Sequence, residues 1–144
     1  MKAEASAVIG RPIEEVFAFS TDPEKLAMWA GPVTEAKQTS EGPLGVGTTS
    51  TRVTQLLGRR IEHDYEVTEY QPNRTYSAKT TTGALPIEEH LSFEAFEGGT
   101  KVTVEGDVEA AGFFKLAEPI VSRIVKRQVE HDVATLKELL EADI

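Results

Sequence analysis

The central part of the chain, residues 33–110, alternates apolar and polar residues with a period of two, which is the spacing of a β-strand exposed on one face. Glycine and proline interrupt this pattern so often that six strand-like runs result, at about 33–40, 48–57, 60–70, 74–82, 87–96 and 100–110. Parallel neighbours would need crossover connections of roughly a dozen residues or more, and the interruptions are too short for them. The six runs are therefore predicted to pair as an antiparallel meander.

Before the meander, the sequence predicts one strand and two short helices. Residues 3–10 alternate like a strand, and Pro12 then stands where a helix can begin without its backbone N–H. Asp22-Pro23 repeats this pattern of a capping residue and a proline, and predicts a second short helix to about Trp29.

After Gly112 an apolar stripe with helical spacing continues to the end of the chain. It predicts a helix of roughly thirty residues, ~45 Å long, with a kink or break at Pro119. The order of elements predicts an α+β fold, in which a seven-stranded curved antiparallel sheet wraps around a long C-terminal helix. The part of the sheet that this helix leaves uncovered is predicted to form a cavity.

Length and composition exclude several classes of site and binding partner. A length of 144 residues suits one domain, residues 1–144, and the absence of cysteine excludes disulfides, thiolate zinc sites and cysteine nucleophiles. A net charge of -9 disfavours binding to nucleic acid, and no apolar run approaches the ~20 residues of a membrane span. No secretory signal is recognisable, so a cytoplasmic location is expected. The three histidines lack metal-binding spacings, and we expect neither a metal nor a cofactor.

Several short motifs in this order resemble the START-like (SRPBCC) superfamily, in its polyketide cyclase/dehydrase branch. They are Pro12-Ile13-Glu14-Glu15-Val16-Phe17-Ala18-Phe19, Asp22-Pro23 followed by Trp29, Gly45-Val46-Gly47-Thr48, Tyr65-Glu66-Val67-Thr68-Glu69-Tyr70-Gln71-Pro72-Asn73-Arg74, Gly98-Gly99-Thr100-Lys101-Val102-Thr103 and Leu136-Lys137-Glu138-Leu139-Leu140-Glu141. The resemblance covers nearly the whole chain. It implies a helix-grip fold with a deep cavity, and relatives that bind lipids, sterols, hormones or polyketides or act as aromatase/cyclases. It also makes a homodimer plausible.

Strand alternation predicts which side chains face the cavity. On the strand that begins near residue 60, Ile61 to Val67 in steps of two face inward, and on the next strand Tyr76, Ala78, Thr80 and Thr82 do so. A one-residue bulge would invert either assignment. The predicted ligand-binding residues are Trp29, Ile61, His63, Tyr65, Val67, Tyr76, Ala78, Glu89, Leu91, Phe93, Val104, Phe113, Ala117, Ile120 and Ile124.

The polar members of this set suggest acid/base catalysis. A buried Glu89 beside His63 would act as a general acid/base pair, with Tyr65 as the orienting group. Alternatively, Glu89 stays hydrated near the end of its strand and His63 only bonds to Tyr65. For Arg52 an outward direction is favoured, because an unpaired buried charge is costly. An inward Arg52 would instead hold a ligand carboxylate.

Three functions remain open at this stage. The preferred one is binding or transport of a small hydrophobic molecule of lipid, polyketide or aromatic type. The second is a cyclase/dehydratase-like enzyme that uses His63, Glu89 and Tyr65. The third is a domain that binds a protein partner through the outer sheet face, which carries Glu62, Asp64, Glu66, Glu88 and Glu94. That face lacks an apolar hot spot, which counts against the third function.

Overall fold

A computed structural model describes residues 1–142 and, for Phe113, the backbone alone. One seven-stranded antiparallel sheet has the spatial order β1-β7-β6-β5-β4-β3-β2. The strands are β1 Lys2–Ile9, β2 Val33–Gln38, β3 Thr49–Leu56, β4 Arg59–Gln71, β5 Thr75–Thr82, β6 Ile87–Phe96 and β7 Gly99–Val108. The sheet curls around the C-terminal helix, which confirms the predicted α+β helix-grip fold.

Short helical segments follow β1, as predicted. Helix α1, Ile13–Thr21, begins directly after Pro12, which lies in extended conformation. A 3₁₀ turn, Pro23–Lys25, is capped by Asp22, whose Oδ1 accepts the N–H of Glu24 at 2.9 Å. Helix α2, Leu26–Trp29, continues from this turn and places Trp29 in the core.

The C-terminal helical region is divided, and the division lies just before Pro119. Helix α3, Phe113–Leu116, has four residues, and helix α4, Glu118–Ala142, has 25 and is therefore ~37 Å long. Pro119 is the second residue of α4, where its missing N–H costs no helical hydrogen bond. The expected single helix of about thirty residues is thus corrected to a shorter one, which packs mainly on β1 and also contacts β7 and α2.

Two apolar clusters hold the helices on the sheet. The larger includes the fully buried Ile9, Val16, Val102 and Leu136, and it joins α1 and α4 to the concave sheet face. The smaller lies around Val121 at the start of α4, and its other buried members are Ile61, Leu85, Val108 and Phe114. No described helix is long and apolar enough to cross a membrane.

A bulge corrects one predicted strand face. Tyr65 pairs with Thr80, but the next residue back, Asp64, pairs with Thr82, so β5 carries an extra residue at this point. Thr82 is consequently exposed on the outer face, where its hydroxyl donates to Asp64 Oδ2 at 2.9 Å. The prediction that Thr82 faces inward is wrong, because the period-two pattern contains no signal for the bulge.

Candidate functional site

A cavity of about 230 Å³ lies between the concave face of the sheet, α2 and α4. One water molecule needs roughly 10–15 Å³ on the same scale, so this space far exceeds that of a few waters. Most of its exposed wall is apolar. Eight of the residues predicted to bind a ligand line it: Trp29, Ile61, His63, Tyr65, Glu89, Leu91, Val104 and Ile124.

The other predicted ligand-binding residues lie elsewhere. Val67, Ala78 and Phe93 are buried in the larger apolar cluster, and Tyr76 lines a small chamber of about 20 Å³ beside the cavity. Ala117 packs against the smaller cluster, and Ile120 is 54% exposed. Ala117 lies in the break between α3 and α4, and Ile120 lies on α4 but outside the cavity lining. The side chain of Phe113 lies outside the described residues.

Arg52 points into the cavity and is only 6% exposed. Its two terminal nitrogens donate to the carboxylate of Glu89 at 2.9 and 2.5 Å, and its guanidinium lies 3.8 Å from the centre of the Tyr65 ring. The outward direction favoured by the sequence is therefore wrong. The charge that would have been costly to bury alone is paired bidentately and covers an aromatic face.

This pairing depends on the curvature of the sheet. Arg52 is on β3 and Glu89 is on β6, and in a flat sheet three strand spacings of about 4.8 Å would separate them. Burial would lower the pKa of Arg52, but the charge and hydrogen bonds of Glu89 outweigh it and raise that pKa. Arg52 is consequently a permanent cation in the cavity wall.

Two tyrosines next to this ion pair remain un-ionised. Burial raises the pKa of Tyr65 and of Tyr76 to about 12, while the charge of Glu89 adds to the shift and that of Arg52 opposes it. Both phenols are therefore neutral at pH 7 and can donate a hydrogen bond.

His63 is bound to the β5–β6 loop and not to Glu89. Its Nε2 accepts the N–H of Leu85 at 3.1 Å, and its ring meets that of Tyr65 edge-on with centroids 6.1 Å apart. Burial lowers the pKa of His63, and the charge of Arg52 adds to this. Since Nε2 is an acceptor in the neutral ring, Nδ1 carries the proton. No hydrogen bond or ion pair among the described residues joins His63 to Glu89, so the predicted acid/base pair is not assembled.

Asp132 is a cavity residue that the sequence reasoning missed. It lies on α4, and its Oδ1 accepts hydrogen bonds from the backbone N–H of Gly31 at 2.9 Å and from Gln128 Nε2 at 2.6 Å. Burial raises the pKa of Asp132, and these hydrogen bonds oppose the rise. The sequence does indicate that Asp132 faces inward, since it stands three residues after Val129 and four before Leu136, within the apolar stripe.

The described residues contain no cluster of three or more His, Asp or Glu side chains that could hold a metal ion. The polar groups on the cavity wall include the Arg52–Glu89 ion pair, the phenol of Tyr65, the neutral imidazole of His63, the indole of Trp29 and the carboxylate of Asp132. Such a set can donate to or accept from an organic ligand.

We expect His63 to make the protein less stable as the pH falls below its ordinary pKa of 6.5. The unfolded chain then binds a proton that the folded one resists, so the free energy of unfolding decreases until the lowered folded pKa is reached. His63→Gln keeps an acceptor for the N–H of Leu85. In this variant the free energy of unfolding should depend less steeply on pH. Chemical denaturation between pH 7 and pH 5 measures it.

His90→Gln is the matched control, because His90 stands on the outer face, where its ring nitrogen bonds to Ser77. It should retain the slope of the unmodified protein. Asp132 has a raised pKa and contributes with the opposite sign, but both variants keep it. An unchanged slope in His63→Gln would contradict the prediction.

Solved structures with the same fold show how widely this architecture occurs. The protein TTHA0849 from Thermus thermophilus is 21% identical, with a TM-score of 0.85 over 99% of this chain and 98% of that one. A START superfamily protein from Mycobacterium smegmatis is 16% identical, with a TM-score of 0.80 over 97% of each chain. The Zhui aromatase/cyclase from a Streptomyces species is 14% identical, with a TM-score of 0.77 over 98% of this chain and 93% of that one. At these identities the likeness shows the fold alone.

No curated protein matches the sequence of this chain. One family model, described as polyketide cyclase / dehydrase and lipid transport, matches residues 1–141, nearly the full length. The chain with this sheet, helix and cavity therefore belongs to the polyketide cyclase/dehydrase and lipid transport family.

Proposed function

We propose that this protein binds a small hydrophobic molecule of lipid, polyketide or aromatic type in the cavity between the sheet and α4. The observation that carries the proposal is the cavity itself, about 230 Å³ of mainly apolar wall with a few polar groups. Concave apolar sites with a small number of placed polar groups are the usual form of a small-molecule site. The family description, which includes lipid transport, supports the same function.

The wall offers two kinds of contact. Leu91, Val104 and Ile124 supply apolar surface from β6, β7 and α4, which suits the body of the ligand. Arg52, Glu89 and Tyr65 lie together and supply polar contacts. A ligand with an apolar body and a polar group fits this division, because each part meets a surface of its own kind.

A thermal-shift screen against fatty acids, sterols, flavonoids and polyketide-like aromatics tests the proposal. A ligand at about 100 times its Kd stabilises the folded state by ~2.7 kcal/mol, which raises Tm by several degrees in a domain of this size. We expect a clear shift from at least one class. A flat screen would contradict the proposal and favour the partner-binding alternative.

Ile124→Trp should abolish the shift, because the larger side chain fills the cavity from α4. Ile120→Trp is the matched control on the same helix, since Ile120 is exposed and lies outside the cavity lining. We expect the control to bind the ligand with unchanged affinity in calorimetric titration. Equal affinities of the two variants would show that the ligand occupies another site.

A second candidate function is catalysis of the cyclase/dehydratase type in the same cavity. The observation that favours it is the position of Arg52 beside the un-ionised phenol of Tyr65, because both line the cavity and can donate to a substrate carbonyl. One solved neighbour is described as an aromatase/cyclase. Turnover of a bound polyketide-like ligand, lost in Tyr65→Phe without loss of affinity, would favour the enzyme over the carrier.

A further inference from the structure

The cavity holds a cation that is already neutralised. Both terminal nitrogens of Arg52 donate to the carboxylate of Glu89, so a ligand carboxylate that approaches Arg52 meets a charge that is already balanced and lies beside a second carboxylate. Displacement of Glu89 by the ligand would leave a partly buried carboxylate without its cation, which is strongly unfavourable. Asp132 on α4 and Glu105 on β7 add two further carboxylates to the cavity lining, and the chain as a whole carries a net charge of -9. The electrostatics of the site therefore oppose anionic ligands.

Two residues of the cavity lining carry buried hydrogen-bond donors without acceptors. Trp29 Nε1 and His63 Nδ1 are both buried, and neither has a hydrogen-bond partner among the described residues. Both residues line the cavity. A buried donor that lacks an acceptor destabilises the structure, and an acceptor atom brought by a ligand removes that cost.

We propose that the cavity is selective for neutral apolar molecules that carry an acceptor oxygen, such as a ketone, and that Glu89 is the residue that excludes carboxylates. This inference rests on the proposed ligand-binding function and specifies its ligand class. The acceptor oxygen satisfies an N–H of Trp29 or His63, and the apolar body contacts the remaining wall. Free fatty acids are excluded because the charge of Arg52 is already neutralised by its ion pair with Glu89.

Three probes of nearly identical shape test the selectivity by calorimetric titration of the intact protein at pH 7. They are acetylnaphthalene, isopropenylnaphthalene and naphthoate, substituted at the same ring position, and they differ as ketone, hydrocarbon and carboxylate. We expect the ketone to bind about fivefold to tenfold more tightly than the hydrocarbon, because one net hydrogen bond contributes about that much to affinity. The carboxylate should bind at least about tenfold more weakly than the ketone.

Glu89→Gln tests the residue assigned to exclusion. It removes the negative charge but keeps an oxygen that Arg52 can contact, and it should raise the affinity for naphthoate by about tenfold. Glu88→Gln is the matched control, because it makes the same charge change on the adjacent residue of β6, which points to the outer face. The control should leave the ranking of the three probes unchanged.

The outcomes separate this inference from the proposed function. If the probes bind and the carboxylate or the hydrocarbon equals the ketone, the selectivity is refuted while ligand binding stands. If Glu89→Gln and Glu88→Gln raise naphthoate affinity equally, the assignment to Glu89 is refuted. If none of the probes binds, the inference falls together with the aromatic class of the proposed function. Should Glu89→Gln not fold, the ranking by the unmodified protein still decides the selectivity.

Discussion

Glu89→Ala is expected to lower the free energy of unfolding by about 3–5 kcal/mol, the usual cost of removing one partner from a buried ion pair. Arg52 would keep its charge, because a guanidinium is not deprotonated at neutral pH, and at 6% exposure it cannot reach bulk water from its place over Tyr65. The loss corresponds to a decrease in Tm of roughly ten degrees or more. Urea denaturation monitored by circular dichroism measures it.

Two controls assign this loss to the unpaired charge. The double variant Arg52→Met/Glu89→Leu removes both charges and should recover most of the stability, since apolar replacement of a buried ion pair is often neutral. Glu35→Ala removes one member of an exposed pair, whose closest atoms in Arg60 and Glu35 are 4.0 Å apart, and should leave the midpoint unchanged. A loss below about 1 kcal/mol in Glu89→Ala would contradict the burial of this pair.

Gly83→Ala should be strongly destabilising, because a Cβ at this position has no space. It would lie 2.1 Å from Cδ2 and 2.7 Å from Cγ of His63, and 2.9 Å from the carbonyl oxygen of Glu62. The φ angle of Gly83 is also 120°, which only glycine adopts readily. Relief of the contact must move the β5–β6 loop or rotate His63, and either change breaks the bond to Leu85.

Gly42→Ala is the matched control for the backbone angle. Gly42 has a φ of 92°, but a Cβ there would meet no atom within 4 Å. Both variants carry the cost of an unfavourable φ, and Gly83→Ala adds a steric cost of about 1–3 kcal/mol. We expect Gly83→Ala to be less stable than Gly42→Ala by that difference in urea denaturation. Equal stabilities would show that the loop does not press on His63.

The architecture could be predicted well because its signals are local. Alternation on β4 placed Ile61, His63, Tyr65 and Val67 inward, and all four are buried. Glycine and proline marked the positions of the turns, and short turns permit only antiparallel neighbours. Thr82 shows the limit of this reasoning, since one extra residue in β5 reverses the face of everything beyond it.

The C-terminal helix shows the same limit in another form. Pro119 correctly predicted an interruption, but not that the break would come before it, at the junction of α3 and α4. A proline is compatible with either a kink within a helix or the first turn of a new one. Packing of the following residues on the sheet selected the second, and it left Ile120 exposed.

The order of the strands, their antiparallel pairing and most inward faces follow from residue periodicity, which is a property of neighbours in the chain. The partner of Arg52, the unpaired N–H groups of Trp29 and His63, and the place of Asp132 in the cavity do not follow from it. Each of these depends on how far the sheet curls, because curvature brings β3 and β6 together and sets the space beneath α4. Curvature arises from the packing of all the elements at once, and for this reason the fold could be predicted from the amino-acid pattern while the chemistry of the cavity required the three-dimensional structure.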